Sequence, residues 1–151
     1  MRLVVGWIQQ RPGKDKMPGV TSLTEDYATR IGRYGPVETL ELADEAALLK
    51  QLEAKSGRTP PFLVLLDARG QQMTSESLAE FFADHQMRGT QTLLFAVGGP
   101  DGFMPEARRK ARLLLSLGKM TLPHELARVI LLEQIYRAFT ILKGHPYHTG
   151  H

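Results

Sequence analysis

Cysteine is absent from the 151-residue sequence. Its absence excludes disulfide bridges, zinc–cysteine and iron–sulfur sites, and a thiol nucleophile. Apolar residues occur only in short runs, far below the roughly 18 to 20 residues that span a bilayer, and the N-terminal run is too short for a signal peptide. With 42% hydrophobic and 23% charged residues, the chain is expected to form one core. We therefore predict a single domain over residues 1–151, in a cytoplasmic protein without membrane contact.

Positive charge is concentrated in the last third of the sequence. Residues 1–103 carry 11 Lys and Arg against 13 Asp and Glu, whereas residues 104–151 carry 8 against 3. Such an asymmetry fits either a surface that binds a polyanion or an ordinary solvated basic face, and charge alone favours the second.

Hydrophobic patterning predicts alternating strands and helices. The continuous apolar runs at 62–66 and 92–97 are typical of strands buried on both faces of a sheet, and two further strands are predicted at 4–8 and 37–42. The predicted helices cover 24–34, 44–55, a segment from 74, 75 or 77 to 87, 105–115 and 123–142. This order predicts an α/β fold with a mostly parallel sheet and helices on both faces.

Three loops are candidates for a binding site. Two of them follow the two buried strands, and ligands of parallel α/β sheets bind beyond the carboxyl ends of the strands. The third is an apolar-rich loop that leads into the last predicted helix. Residues 67–70 and 98–102 contain glycines, but neither loop matches a dinucleotide or P-loop motif. The glycines fit either close approach of the backbone to a ligand or a tight turn. In the third loop, 116–124, the side chains of Leu117, Met120 and Leu122 fit either the walls of an adenine site or the ordinary core.

The last predicted helix and the tail carry a second group of candidates. Glu133 and Arg137, four residues apart, fit an ordinary surface ion pair. Apolar residues on more than one face of this helix predict burial both by the sheet and by a partner subunit. The tail His145-Pro146-Tyr147-His148 offers rings that can stack on an unstacked base. No metal site is predicted, since the tail histidines lack a nearby carboxylate.

In six segments that follow in the same order, the sequence resembles the RlmH (YbeA) family of ribosomal RNA methyltransferases. They are LLDARG (65–70), TSE (74–76), FAVGGPDGF (95–103), SLGKMTLPH (116–124), RVILLEQIYRAF (128–139) and HPYH (145–148). The similarity covers about residues 62–148. The first 60 residues depart from the family pattern, with an altered first loop at 11–19, and Gly118 stands where serine is usual.

The resemblance implies a SPOUT-type α/β fold, in which C-terminal loops form a deep trefoil knot that binds S-adenosylmethionine. It also implies a homodimer that methylates N3 of a pseudouridine in 23S ribosomal RNA on assembled ribosomes. The implied cofactor contacts are Leu66, Gly98, Leu117, Gly118, Lys119, Met120, Thr121 and Leu122. The implied catalytic residues around the target base are Glu133, Arg137, Tyr147 and His148.

For that reaction, His148 or Glu133 is the candidate for removing the N3 proton. Arg137 would contact phosphate or a uracil oxygen, and Tyr147 would pack against the flipped base. Two other functions stay open at this point: a SPOUT methyltransferase for another RNA such as tRNA, and a noncatalytic ribosome-binding protein.

Overall fold

The computed structural model describes residues 1–9 and 15–148, with only the backbone of His148. Five strands form one sheet in the order β2-β1-β4-β3-β5, and every neighbouring pair is parallel. The strands are β1 (Arg2–Ile8), β2 (Val37–Leu42), β3 (Phe62–Gln72), β4 (Thr92–Val97) and β5 (Leu113–Ser116). The predicted parallel α/β sheet is therefore confirmed.

Helices cover both faces of the sheet. They are α1 (Val20–Gly32), α2 (Glu45–Gln51), α3 (Ser75–Arg88), α4 (Pro105–Lys110), α5 (His124–Lys143) and a short 3-10 helix, Pro146–His148. Phe82 of α3 and Ile135 of α5 belong to the core on one face, whereas Leu48 of α2 and Ala107 of α4 belong to the core on the other. In the part of the chain that the structure describes, no helix is both long enough and apolar enough to cross a membrane.

The predicted helix over 105–115 is wrong in its second half. Helix α4 ends at Lys110 because Ala111 turns to an extended conformation, with ψ of 136°. The Arg112 N–H then donates to the Leu63 carbonyl at 2.8 Å, and the three leucines that follow pair with β3 as strand β5. A short apolar run fits a buried helix or a buried strand equally well, so the pairing with β3 decided between them.

Several helix boundaries differ from the predicted ones by a few residues. Helix α1 spans 20–32 rather than 24–34, since the buried Val20 extends its apolar face by one turn. Helix α2 ends at Gln51 instead of continuing to 55. Among the three predicted starts of α3, Thr74 is confirmed as the N-cap, because its Oγ1 accepts the Ser77 N–H at 3.0 Å.

Strand β3 continues six residues beyond its predicted end, across a four-residue bulge. Leu66 and Gln71 both pair with Leu115 of β5, so residues 67–70 leave the ladder between them. Gly70 makes this path possible: a Cβ atom there would lie 2.4 Å from the Leu114 carbonyl oxygen. Asp67 and its neighbours therefore lie outside the regular pairing with β5.

Helix α5 packs between α1 and α3 on one face of the sheet. The Phe139 ring lies 4.8 Å from the Phe82 ring of α3 and stacks 5.7 Å from the Tyr34 ring, which follows α1. Neighbours within one chain thus cover part of the apolar surface of α5. Burial of this helix by a partner stays a prediction.

We expect Gly70→Ala to lower the free energy of unfolding by about 1–3 kcal/mol, because the new methyl group overlaps the Leu114 carbonyl and the bulge must shift. Urea unfolding followed by circular dichroism measures the change. Gly35→Ala is the matched control, since a Cβ at Gly35 has no neighbour within 4 Å. Equal stability of both variants would contradict the proposed close packing at the bulge.

Candidate functional site

A cavity of about 280 Å³ lies beyond the carboxyl ends of β3, β4 and β5. Its walls come from residues 66–69, 97–103 and the loop between β5 and α5, with additional contacts from α4 and the first residues of α5. The position is the one at which parallel α/β sheets bind ligands, and the volume is close to the lower end of small-molecule sites, about 300 Å³.

Seven of the eight predicted cofactor contacts line this cavity. They are Leu66, Gly98, Leu117, Gly118, Met120, Thr121 and Leu122. Lys119 belongs to the same loop, but its side chain is exposed and it is not among the lining residues, so its assignment stays a prediction. Residues that are up to 56 positions apart in the sequence thus converge on one space, as the resemblance implies.

Ser116 at the end of β5 ties two walls of the cavity together. Its hydroxyl accepts the Gly118 N–H at 3.1 Å and lies 2.9 Å and 3.2 Å from the carbonyl oxygens of Gly118 and Ala68. Gly118 has φ of 146°, a conformation that side chains disfavour. The loop that follows β5 is therefore fixed at its start against the bulge of β3.

One wall of the cavity is charged. The Asp67 carboxylate accepts the Arg69 N–H at 2.8 Å and pairs with the Arg108 guanidinium of α4, while Arg69 Nε lies 3.5 Å away. Burial acts to raise the pKa of Asp67, but these donors and positive charges outweigh it, so the pKa lies below its ordinary value. The sequence analysis included 67–70 among its candidate loops, but Arg108 had no motif to mark it.

Glu133, Arg137 and Tyr147, which were predicted to be catalytic, lie together on α5 and the 3-10 helix. The Arg137 guanidinium pairs with Glu133 Oε1 at 2.5 Å, and the Tyr147 hydroxyl donates to the same oxygen at 3.2 Å. The Glu133 and Arg137 side chains are only 18% and 16% exposed. The expected surface ion pair is therefore a largely buried one, within a network rather than alone.

Two residues that the sequence analysis did not single out extend this network to α3. Ser75 donates to Gln134 Oε1 at 2.6 Å, and Gln134 Nε2 donates to Glu133 Oε2 at 2.8 Å. Both Glu133 oxygens are thus occupied by donors. The only sequence signal for this link was that Ser75 and Gln134 fall in two of the six matching segments.

Tyr147 lies in an aromatic environment beside this carboxylate. The Tyr136 ring is 4.7 Å away, and the Arg137 guanidinium lies 5.2 Å from the Tyr147 ring centroid. Burial, together with hydrogen bonding to Tyr27 and the charge of Glu133, raises the pKa of Tyr147 well above its ordinary value. The phenol is therefore protonated at neutral pH and serves as a hydrogen-bond donor.

The cavity and this cluster are separate sites of one subunit. None of Glu133, Arg137 and Tyr147 is among the residues that line the cavity. The side chain of His148, the fourth predicted catalytic residue, lies outside the described residues, and its backbone ends the 3-10 helix. The structure thus brings together seven of the predicted cofactor contacts in one place and three of the predicted catalytic residues in another, but not the two groups with each other.

A buried ion pair, also missed from the sequence, fixes the start of α5 where the cavity loop enters it. Arg128 is 2% exposed, binds Asp15 through Nη1 and Nη2 at 3.2 and 2.6 Å, and stacks 4.1 Å from the Trp7 ring centroid. Glu125 accepts the backbone N–H groups of Lys16 and Met17 at 2.6 and 2.8 Å. The residues before α1 are thereby anchored to the first turns of α5.

Comparison with known proteins assigns this parallel α/β fold, with its cavity beyond the carboxyl ends of the strands, to the class of SPOUT methyltransferases. The family model described as Predicted SPOUT methyltransferase matches residues 9–148. Two solved structures share the fold with a TM-score of 0.54 each. The SpoU methyltransferase AviRb from Streptomyces viridochromogenes, in complex with AdoMet, is 16% identical and aligns over 89% of this chain and 56% of its own. A probable methylase family protein from Haemophilus influenzae is 12% identical and aligns over 96% and 67%.

Curated relatives are much more similar in sequence. A protein from Koribacter versatilis named ribosomal RNA large subunit methyltransferase H is 53% identical over the whole of both chains. A protein of the same name from Geobacter sp. is 45% identical over 98% of this chain and 99% of its own. The chain therefore belongs to the ribosomal RNA large subunit methyltransferase H family, within the SPOUT methyltransferases.

The buried ion pair generates a prediction on acid stability. The hydrogen bond from Arg128 lowers the pKa of Asp15, so its stabilisation is complete above the unfolded pKa of about 3.9 and is lost as the pH falls through the native pKa. We expect Asp15→Asn to cost about 3–5 kcal/mol at neutral pH, since it leaves Arg128 buried and unpaired. Below the native pKa of Asp15 the difference from wild type should shrink.

Urea unfolding at pH 7 and at a series of acidic pH values measures this difference. Asp26→Asn is the control, because its pair with Arg30 is exposed to solvent and contributes little to stability. A difference between wild type and Asp15→Asn that does not vary with pH would refute the contribution of this carboxylate to acid stability.

Proposed function

We propose that this chain is an S-adenosylmethionine-dependent methyltransferase that acts on N3 of a pseudouridine in 23S ribosomal RNA. We propose further that it works in the cytoplasm, on assembled ribosomes, as a homodimer. The observation that carries the proposal is the convergence of seven predicted cofactor contacts on one cavity. Relatives up to 53% identical, which carry the name of a large-subunit ribosomal RNA methyltransferase, support the class of substrate.

The residues of the cavity fit the proposed cofactor. Leu66, Leu117 and Leu122 offer apolar walls for a purine ring, while Asp67 and Arg108 offer charge at another part of the lining. When bound, S-adenosylmethionine supplies a methyl group already activated on a positively charged sulfur. We also infer that the loops around the cavity form the trefoil knot that the resemblance implies.

Because the methyl donor is already activated, the protein must mainly align the target base and handle one proton. Arg137 is suited to the base, since a guanidinium at the uracil oxygens stabilises the negative charge that develops when N3 loses its proton. The short contact to Glu133 holds the guanidinium in place. Tyr147 adds a protonated hydroxyl and a ring face against which a flipped base can pack.

Of the two candidates for the proton acceptor, we assign the role to His148. The Glu133 oxygens already accept hydrogen bonds from Arg137, Tyr147 and Gln134, which suits a residue that orients its neighbours. A neutral imidazole can accept a proton, which suits this role. This assignment of His148 rests on the sequence resemblance.

The separation of the cavity from the Glu133 cluster supports the homodimer. A methyl donor in the cavity and a base held by Arg137 must meet in line, and in one subunit the two groups of residues do not share a wall. We therefore infer that the cluster of one subunit faces the cavity of its partner across a two-fold axis.

The first test is transfer of labelled methyl from S-adenosylmethionine to ribosomes from a strain that lacks the family enzyme, followed by mapping of the modified nucleotide. We expect a label at N3 of one pseudouridine in 23S RNA. Arg137→Gln should slow transfer about a hundredfold or more, because it removes a donor that acts in the transition state, while calorimetry should show unchanged cofactor binding.

The outcomes separate the alternatives. A label on tRNA but not on ribosomes would replace the proposed substrate by another RNA. Cofactor binding without transfer to any RNA would favour a noncatalytic ribosome-binding protein. Absence of cofactor binding would refute the proposed function as a whole.

The composite site is tested by co-expressing two inactive variants under different affinity tags and purifying the mixed dimer. Arg137→Gln disables the cluster, and Gly98→Val disables the cavity by crowding the Phe103 ring, 3.1 Å from the Cβ position. In a two-fold dimer one composite site of the mixed species is intact, so we expect about half of the wild-type activity per dimer. A mixed dimer as inactive as its parents would show that each active site lies within one subunit.

A further inference from the structure

The charged wall of the cavity pairs one carboxylate with one guanidinium. Asp67 and Arg108 both line the cavity, with side chains 11% and 26% exposed. Arg69, the other cation beside Asp67, is 76% exposed and so lies mostly in solvent. The wall therefore presents a positive and a negative group side by side, partly shielded from water.

Both members of the pair are held in place by the fold. Asp67 is the first residue of the bulge in β3, and its Oδ1 accepts the Arg69 N–H at 2.8 Å. Arg108 lies on α4, whose start is fixed by Glu45 of α2, because both carboxylate oxygens accept the Met104 N–H at 3.0 Å. The two groups are thus positioned before any ligand arrives.

The pair retains hydrogen-bonding capacity. Arg108 donates to Asp67 through Nη1, and Nη2 and Nε donate no hydrogen bond within residues 1–9 and 15–148. A carboxylate offers about four acceptor positions, and the contacts to Asp67 come from the Arg69 N–H, Arg69 Nε and Arg108. A ligand that carries both an anion and a cation about one carbon apart would match this pair.

We propose that the Asp67–Arg108 pair binds the amino-acid end of S-adenosylmethionine, with Arg108 donating to its α-carboxylate and Asp67 accepting from its α-ammonium. The inference rests on the proposed function and extends it to two residues outside the implied contacts. Arginine suits the carboxylate because its planar fork can donate two parallel hydrogen bonds. Asp67 orients that fork and adds the complementary charge.

Calorimetric titration of the full chain with two ligands tests the assignment. S-adenosylhomocysteine has the amino-acid end but no sulfonium charge, and 5′-methylthioadenosine lacks the amino-acid end. We expect Arg108→Gln and Asp67→Asn each to weaken binding of S-adenosylhomocysteine about tenfold or more, and to leave binding of methylthioadenosine within about twofold.

Two further variants make the comparison specific. Arg109→Gln removes an exposed charge from the same helix and should change neither affinity. Arg108→Lys keeps the charge but loses the planar fork, so its affinity for S-adenosylhomocysteine should lie between those of wild type and Arg108→Gln. If Arg108→Gln does not fold, Arg108→Lys takes its place in the comparison.

Equal losses for the two ligands would overturn the inference, since the pair would then only shape the cavity wall. Unchanged binding of S-adenosylhomocysteine in either variant would overturn the assignment of that residue. If the wild-type chain binds neither ligand, the proposed function itself would be refuted.

Discussion

The cavity depends on how β5 pairs with β3. Strand β5 is only four residues long, yet it binds β3 on both sides of a four-residue bulge, at Leu66 and again at Gln71. A shorter β3 would leave β5 as a poorly held edge, and a regular β3 would keep Asp67 within the ladder. The bulge therefore both completes the sheet and lifts a charged residue into the cavity. Gly70 allows it because no side chain fits against the Leu114 carbonyl.

Within residues 1–9 and 15–148, buried or partly buried ion pairs at three places join segments that are distant in sequence. Asp15 and Arg128 anchor the residues before α1 to α5, and Asp67 and Arg108 join β3 to α4. The Glu133 network connects α5 to α3 and to the tail. Buried pairs contribute little net stability compared with apolar residues, but they penalise any arrangement that separates them. Here they fix the segments that surround the two proposed parts of the active site.

This organisation divides the proposed work between two regions of the chain. The loops at the carboxyl edge of the sheet form the cavity, whose position is common to α/β folds. The cluster on α5 and the tail combines a guanidinium, a protonated phenol and aromatic faces, which suit recognition of a base. In the proposal, methyl transfer needs both regions, and their assembly across a two-fold axis is its central feature.

The sequence by itself determined the local elements with the clearest patterns. Strand β4, the start of β3 and the long α5 were predicted within a residue, since periodicity and helix-capping signals act over short distances. The resemblance, carried by ordered motifs, identified the family and seven of the residues that line the cavity. It also selected Glu133, Arg137 and Tyr147, which the structure places in one network.

Tertiary structure decided what depends on contacts between distant segments. Leu113–Ser116 became a strand because β3 offered a pairing edge, against a pattern that fitted a helix. Arg108 and Arg128 gained their roles from Asp67 and Asp15, which lie 41 and 113 positions away in the sequence. A charged residue looks the same in a sequence whether it is solvated or buried. Only the fold brings its partner close and removes the water, which is why these residues carried no signal of their own.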